Sequence, residues 1–209
     1  DARLSYRAAI ELDPHNPIAR AGAERVEKIL QEQAARRAEE ITRTRMREEA
    51  LKLLEAARPA LDQARDYVYD KDSSYDELVR RVERATKLLD EAVERVPDLA
   101  QAHYLLGLAW ELRGHDDRAV QALRMATSCD PQFGPAHFQL ARLLLERAII
   151  KGYGYDDLER LADRTEMLNL TKEASQELEC ARQGVGLEDP LQRALVDSQL
   201  AYVCMESPG

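Results

Sequence analysis

The fold is decided by the stretch "AHYLLGLAWELRGHDDRAVQALRMATSCDP", which runs from Ala102 to Pro131. Its first half carries apolar and small residues at the three- and four-residue spacing that places them on one face of a helix. Gly114 stands where a residue free to adopt a positive φ would end that helix. A second helical pattern follows and stops at Asp130-Pro131, because proline cannot continue a helix. The stretch therefore predicts two helices joined by a tight turn, near residues 100–113 and 116–128.

The same spacing of small, large apolar and proline residues recurs along the chain. The first-helix residues His103, Leu106, Gly107 and Trp110 are matched 34 residues later by His137, Leu140, Ala141 and Leu144. The second-helix residues Ala119, Leu123, Ala126 and Pro131 are matched earlier by Ala85, Leu89, Ala92 and Pro97, and by Ala2, Tyr6, Ala9 and Pro14. This pattern resembles the tetratricopeptide repeat (TPR), a helix-turn-helix unit of 34 residues. The resemblance implies an all-α solenoid of antiparallel hairpins, with a third helix over 134–150 and with Gly107 packed closely against Ala119.

Two segments interrupt the repeat, and their positions give the predicted boundaries along the chain. Residues 1–16 are expected to end a hairpin, and 17–72 to form a long charged helix kinked near Pro59. Its central part, 31–50, holds five acidic and five basic residues and almost no large apolar ones, which is typical of a solvated helix. Residues 73–209 are then expected to form a TPR-like array with an insertion at 151–173.

Composition excludes several classes of protein. The net charge is −9, so a nucleic-acid-binding role is not expected. The sequence has no apolar run long enough to cross a bilayer and no signal-peptide pattern at its start, so membrane insertion is not expected. The three cysteines, Cys129, Cys180 and Cys204, lie far apart and indicate a reducing, cytoplasmic setting. Because the chain opens inside a helical pattern, we expect it to be part of a longer protein.

Motifs for catalysis, metals and cofactors are weak. The segment from Asp70 resembles a calcium loop, but Tyr75 stands where the loop needs glycine and Arg81 where it needs glutamate. His103 and His137 occupy equivalent repeat positions, but no third ligand stands near them in sequence, so we interpret both as packing residues. Since no hydrolase, zinc-protease or kinase motif occurs, we expect no enzyme activity, no catalytic residue, no metal and no cofactor.

The TPR resemblance also implies a binding surface, since the first helices of such repeats line a concave groove. Carried onto this sequence, the partner-binding residues are Tyr104, Leu108, Glu111, Phe138, Gln139, Arg142, Glu146 and Tyr202. Tyr104 and Phe138 are expected to lie side by side, with Arg142 free to bind a carboxylate of a peptide or helix. The acidic surplus of 151–209 favours a partner with some basic character. A second interpretation is that the two rings only pack against an added helix of the same chain.

A more specific resemblance spans most of the chain. The segments "YRAAIELDPHNPIARAGAERV", "PDLAQAHYLLGLAWELRGHDDRAVQALRMATSCDPQFGPAHFQLARLLLERA" and "LEDPLQRALVDSQLAYV" are similar to the C-terminal TPR regions of certain bacterial serine/threonine protein kinases. This implies a non-catalytic docking or regulatory module for protein–protein interaction. The alternative is a structural role, in which the long charged helix forms a homodimer or acts as a spacer.

Overall fold

The computed structural model describes residues 2–69, 75–152, 159–187 and 190–206, and in these ranges the chain is all-helical. The helices are α1 (Ala2–Leu12), α2 (Pro17–Tyr69), α3 (Tyr75–Arg95), α4 (Ala100–Leu112), α5 (Asp116–Cys129), α6 (Gly134–Gly152), α7 (Glu159–Gln183) and α8 (Pro190–Glu206). The prediction of an all-α fold is confirmed. The helices predicted at 100–113, 116–128 and 134–150 agree with α4, α5 and α6 to within two residues.

The chain divides into two compact units, Asp1–Glu48 and Glu49–Gly209. The division lies inside α2 and not at residue 72, where the sequence placed it. The reason is a regular apolar stripe that begins just after Glu49. Its buried members are Ala50, Leu54, Ala57, Leu61 and Ala64. Because they recur every three or four residues, they put one face of α2 into the core of the second unit.

In the first unit, the start of α2 is fixed by local chemistry. The Asn16 side-chain oxygen accepts hydrogen bonds from the backbone N–H groups of Ile18 and Ala19, both at 3.0 Å, which caps the helix. Pro17 occupies the first helical position, where its missing N–H costs nothing. The Tyr6 ring of α1 lies directly over Gly22, so a side chain at Gly22 would collide with it. Farther along α2, every residue from 27 to 48 is exposed.

In the described residues of the second unit, three helical hairpins are formed, by α2 with α3, α4 with α5 and α6 with α7. In each, residue numbers fall along one helix as they rise along its partner, so the two helices are antiparallel. Between α2 and α3, Glu49 contacts Arg95 and Gln63 contacts Arg81. Between α4 and α5, Gly107 lies against Leu123 and Trp110 against Arg118. Between α6 and α7, Gly134 lies against Ala181 and His137 contacts Glu177.

The α4–α5 hairpin shows why two glycines stand in the deciding stretch. Gly114, in the turn between the helices, has φ of 69°, which favours glycine. At Gly107, an added Cβ would come within 2.7 Å of Leu123 Cγ. The nearest neighbour of Gly107 is therefore the Leu123 side chain, and the expected neighbour Ala119 follows with its backbone oxygen, 3.4 Å from the same added Cβ.

A backbone pairing joins the loop before α6 to the loop after α7. Gly134 N–H donates to the Val185 carbonyl at 2.9 Å, and Val185 N–H donates to the Gln132 carbonyl at 2.7 Å. These bonds form a single β-bridge between Phe133 and Val185, and the described residues contain no strand. A Cβ at Gly184 would lie 2.8 Å from the Gln132 oxygen, so glycine permits this close approach.

The expected insertion at 151–173 lies partly outside the described residues, which omit 153–158. From Glu159 onward, its residues form the first turns of α7 and continue without a break into the segment that packs on α6. The segment 70–74, which begins the calcium-like loop, also lies outside the described residues.

Candidate functional site

Three helices of the second unit, α2, α4 and α6, line a groove of about 590 Å³. Six of the eight predicted partner-binding residues lie in its lining. These are Tyr104, Leu108, Glu111, Phe138, Gln139 and Arg142. Glu146 lies outside the lining and reaches the groove through Arg142, and the side chain of Tyr202 lies outside the described residues. The spacing of the two marked first helices is therefore enough to bring most of the candidate site together.

The apolar part of the groove differs from expectation in one contact. Tyr104 does not pair with Phe138; its ring packs edge-on against Phe133, with centroids 5.3 Å apart and planes at 80°. Phe133 is held there by the backbone pairing with Val185, in the turn just before α6. Burial raises the pKa of the Tyr104 hydroxyl, and the nearby charge of Glu111 raises it further. Tyr104 is thus partly a core residue, and Leu108 and Phe138 are half-buried side chains of the same lining.

The polar part of the groove is a closed network. The Glu111 carboxylate accepts a hydrogen bond from Gln139 Nε2 at 2.5 Å and an ion-paired bond from Arg142. The other guanidinium nitrogen of Arg142 donates to Glu146 Oε1, also at 2.5 Å. Arg142 therefore bridges two carboxylates of its own chain and is not free to orient a partner's carboxylate, which corrects the role expected for it. Its role in the structure is to join α4 to α6 across the groove.

The wall formed by α2 was missed by the sequence analysis. It contributes Arg58, Leu61, Asp62 and Arg65. The signal for it was the apolar stripe from Ala50 to Ala64, which shows that this half of α2 packs in a core. The same wall changes the expected charge of the groove. Among the described residues that line it, three are arginines and two are acidic, so their formal charge is +1, whereas the chain carries −9. Of the described lining residues, only Leu187 comes from the acidic segment 151–209, and it is uncharged.

The two histidines at equivalent positions serve the structure in equivalent ways. His103 Nε2 is 2.8 Å from the carbonyl oxygen of Pro97, and His137 Nε2 is 3.0 Å from that of Pro131. Each ring thereby ties a first helix to the proline that ends the preceding hairpin. In the part of the chain that the structure describes, no group of three or more His, Cys, Asp or Glu side chains could hold a metal ion.

Comparison with known proteins gives no assignment: no protein-family model matches the chain, and no curated protein matches it in sequence. A search of the helices in the described ranges finds none that is both long and apolar enough to cross a membrane. The candidate function therefore rests on the groove itself.

Proposed function

We propose that the second unit is a TPR-type array whose groove binds a peptide or helix of another protein. The observation that carries the proposal is the groove between α2, α4 and α6, lined by six residues that the repeat spacing had selected as partner-binding. The antiparallel hairpins and the 34-residue offset between His103 and His137 support the TPR-type assignment, since both residues make the same bond to a preceding proline.

A peptide suits this groove better than a small-molecule substrate does. Its apolar side chains, such as Leu108 and Phe138, are spread along two helices and offer a long contact surface. Glu111 and Arg142 are satisfied by each other and by their neighbours, so they hold the groove in shape before anything binds. A preformed surface reduces the entropy lost on binding. This is a binding role, and we propose no catalytic step.

The proposal extends to the wider setting of the chain. We place it as a docking or regulatory module beside a bacterial serine/threonine kinase domain, acting in the cytoplasm. The support for the kinase setting is the sequence resemblance over 6–26, 97–148 and 187–203, and the support for the compartment is the spacing of the three cysteines.

The test is a selection from random 12-residue peptides displayed on phage. The wild-type chain should enrich a set of related peptides. The double variant Leu108→Ser with Phe138→Ser should lose that enrichment, because it removes two apolar side chains on which a peptide would pack. The matched control is Met125→Ser, which removes an exposed apolar side chain on α5 outside the groove and should enrich the same peptides. Circular dichroism should show unchanged helix content in all variants. Failure of the wild-type chain to enrich any peptide above the double variant would overturn the proposal.

A second candidate function is self-association through the first unit. The observation in its favour is that Ile41 and Met46 are exposed on a helix segment whose residues 27–48 all face solvent. Apolar side chains in that position are the ones a second copy of the helix would cover.

A further inference from the structure

The two sides of the groove differ in how their charges are satisfied. On the α4 and α6 side, Glu111, Gln139 and Arg142 bind one another. On the α2 side, Arg58 has no ion-pair partner among the described side chains, and Arg65 has only a long contact of 3.9 Å to Asp62. Both arginines are exposed. On the α4 and α6 side the charged groups are therefore paired with one another, whereas on the α2 side, among the described side chains, Arg58 has no ion-pair partner and Arg65 has only the long contact to Asp62.

The geometry of these arginines is set by the helix. Arg58 and Arg65 are seven residues apart, which is two turns of α2, so they lie on the same face about 10 Å from each other. Leu61 lies between them in the sequence, lines the groove and belongs to the core cluster against which Leu108 packs. Their charges act at the groove, since both oppose the increase in the pKa of the Tyr104 hydroxyl that burial produces. A ligand seated on Leu108 and Phe138 would thus meet two cations along its other edge.

We infer that the occupant of the groove is an acidic amphipathic peptide, with apolar side chains on the floor formed by Leu108 and Phe138 and carboxylates facing Arg58 and Arg65. This inference rests on the proposed peptide-binding function and adds the chemistry of the partner. Carboxylates suit guanidinium groups because they accept two parallel hydrogen bonds from one arginine. The preference for acidic side chains is confined to the groove, because its arginines attract them at contact distance. The chain as a whole carries −9 and therefore repels long polyanions.

The role of the two groove arginines is tested with the same peptide selection, by counting the Asp and Glu residues in the enriched peptides. Peptides enriched on the wild-type chain should carry more Asp and Glu than the unselected library. The variant Arg58→Glu with Arg65→Glu should bind a fluorescent synthetic copy of the best peptide about tenfold more weakly in an anisotropy titration at low salt. The milder variant Arg58→Gln with Arg65→Gln should show a smaller loss in the same direction, and added salt should weaken wild-type binding.

A matched control separates local from global charge. Arg84→Glu with Lys87→Glu changes the total charge by the same amount on the exposed face of α3, outside the groove, and should leave binding unchanged. If the control weakens binding as much as the groove variant does, the effect is one of net charge and the inference is wrong. If enriched peptides depend on Leu108 and Phe138 but show no acidic excess, the inference fails while the proposed function stands. If no peptide is enriched, both fail together.

Discussion

His137 is held at both ring nitrogens by acceptors. Its Nδ1 is 2.5 Å from a Glu177 carboxylate oxygen on α7, and its Nε2 is 3.0 Å from the Pro131 carbonyl oxygen. An imidazole can donate to two acceptors only when both nitrogens carry protons, so the geometry favours the charged ring. Burial by itself lowers the pKa of His137, but the hydrogen bond and the charge of Glu177 outweigh it, helped by Asp130, and the pKa is raised.

This raised pKa predicts a pH-dependent stability. A group whose pKa is higher in the folded than in the unfolded state contributes stability that is complete below the unfolded value, about 6.5, and lost as pH rises through the folded value. We expect the melting temperature of the wild-type chain to fall between about pH 6 and pH 8 by more than that of Glu177→Gln. The contribution is about 1–2 kcal/mol, because the bond is charged and His137 is buried.

The bonds of His103 show what Glu177 adds at His137. His103 Nε2 makes the same bond to a preceding proline, but no carboxylate contact to its ring is found among the described side chains. In an NMR titration, the His137 ring should change protonation at higher pH in the wild-type chain than in Glu177→Gln, because the Glu177 carboxylate raises the pKa of His137. Parallel pH profiles of melting temperature for the two proteins would contradict the assignment of the effect to Glu177.

At the scale of the elements, the α4–α5 hairpin depends on the fit of Gly107 against Leu123. Since a Cβ at position 107 would lie 2.7 Å from Leu123 Cγ, Gly107→Leu should destabilise the chain by about 3 kcal/mol or more. Leu123→Ala should cost about 2–5 kcal/mol, because Leu123 is fully buried. The double variant should cost less than the sum, since the smaller residue at 123 makes room for the larger one at 107. Urea unfolding of the four proteins measures this coupling, and strictly additive costs would show that the two residues do not share one space.

The sequence predicted this hairpin well because its determinants are local. Gly114 ends a helix, proline ends the next, and small residues mark the contact between them. The α2 wall escaped prediction for the opposite reason. Its apolar stripe from Ala50 to Ala64 is interleaved with charged residues, and Pro59 looks like a break, although the helix continues through it with that proline exposed. Which face of such a helix is buried depends on α3, whose contacts are far away in sequence.

The candidate site was likewise only partly predictable. Six of the residues that repeat spacing selected line one groove, because equivalent positions on neighbouring helices face the same way. It could not predict that Arg142 is bound by Glu111, since that pair forms between side chains 31 residues apart. It also could not predict that Tyr104 meets Phe133, because the position of Phe133 depends on the backbone pairing of its loop with Val185.

At the scale of the whole molecule, the buried core clusters lie on one side of the division at Glu48. Every residue of the two core clusters falls between Ala50 and Val196, within the second unit. A chain that starts at Glu49 should therefore keep its fold and its groove, with a melting temperature within about 4 °C of the full chain, or roughly 1 kcal/mol. Thermal unfolding followed by circular dichroism measures this, and loss of a cooperative transition would show that the first unit is needed for folding.

Light scattering on the same two proteins decides between the candidate functions. We expect the full chain to have a single mass near 23.7 kDa. A stable two-stranded coiled coil needs apolar residues at two positions of every heptad over three or four heptads. Along the exposed segment, Leu30 and Ile41 lie on one face but are eleven positions apart, and the residues on that face between them are Ala34, Arg37 and Ala38. The opposite result would be a mass of twice that value for the full chain and a monomer mass for the chain that starts at Glu49. That result would identify residues 17–48 as a self-association helix and favour the structural role over peptide binding.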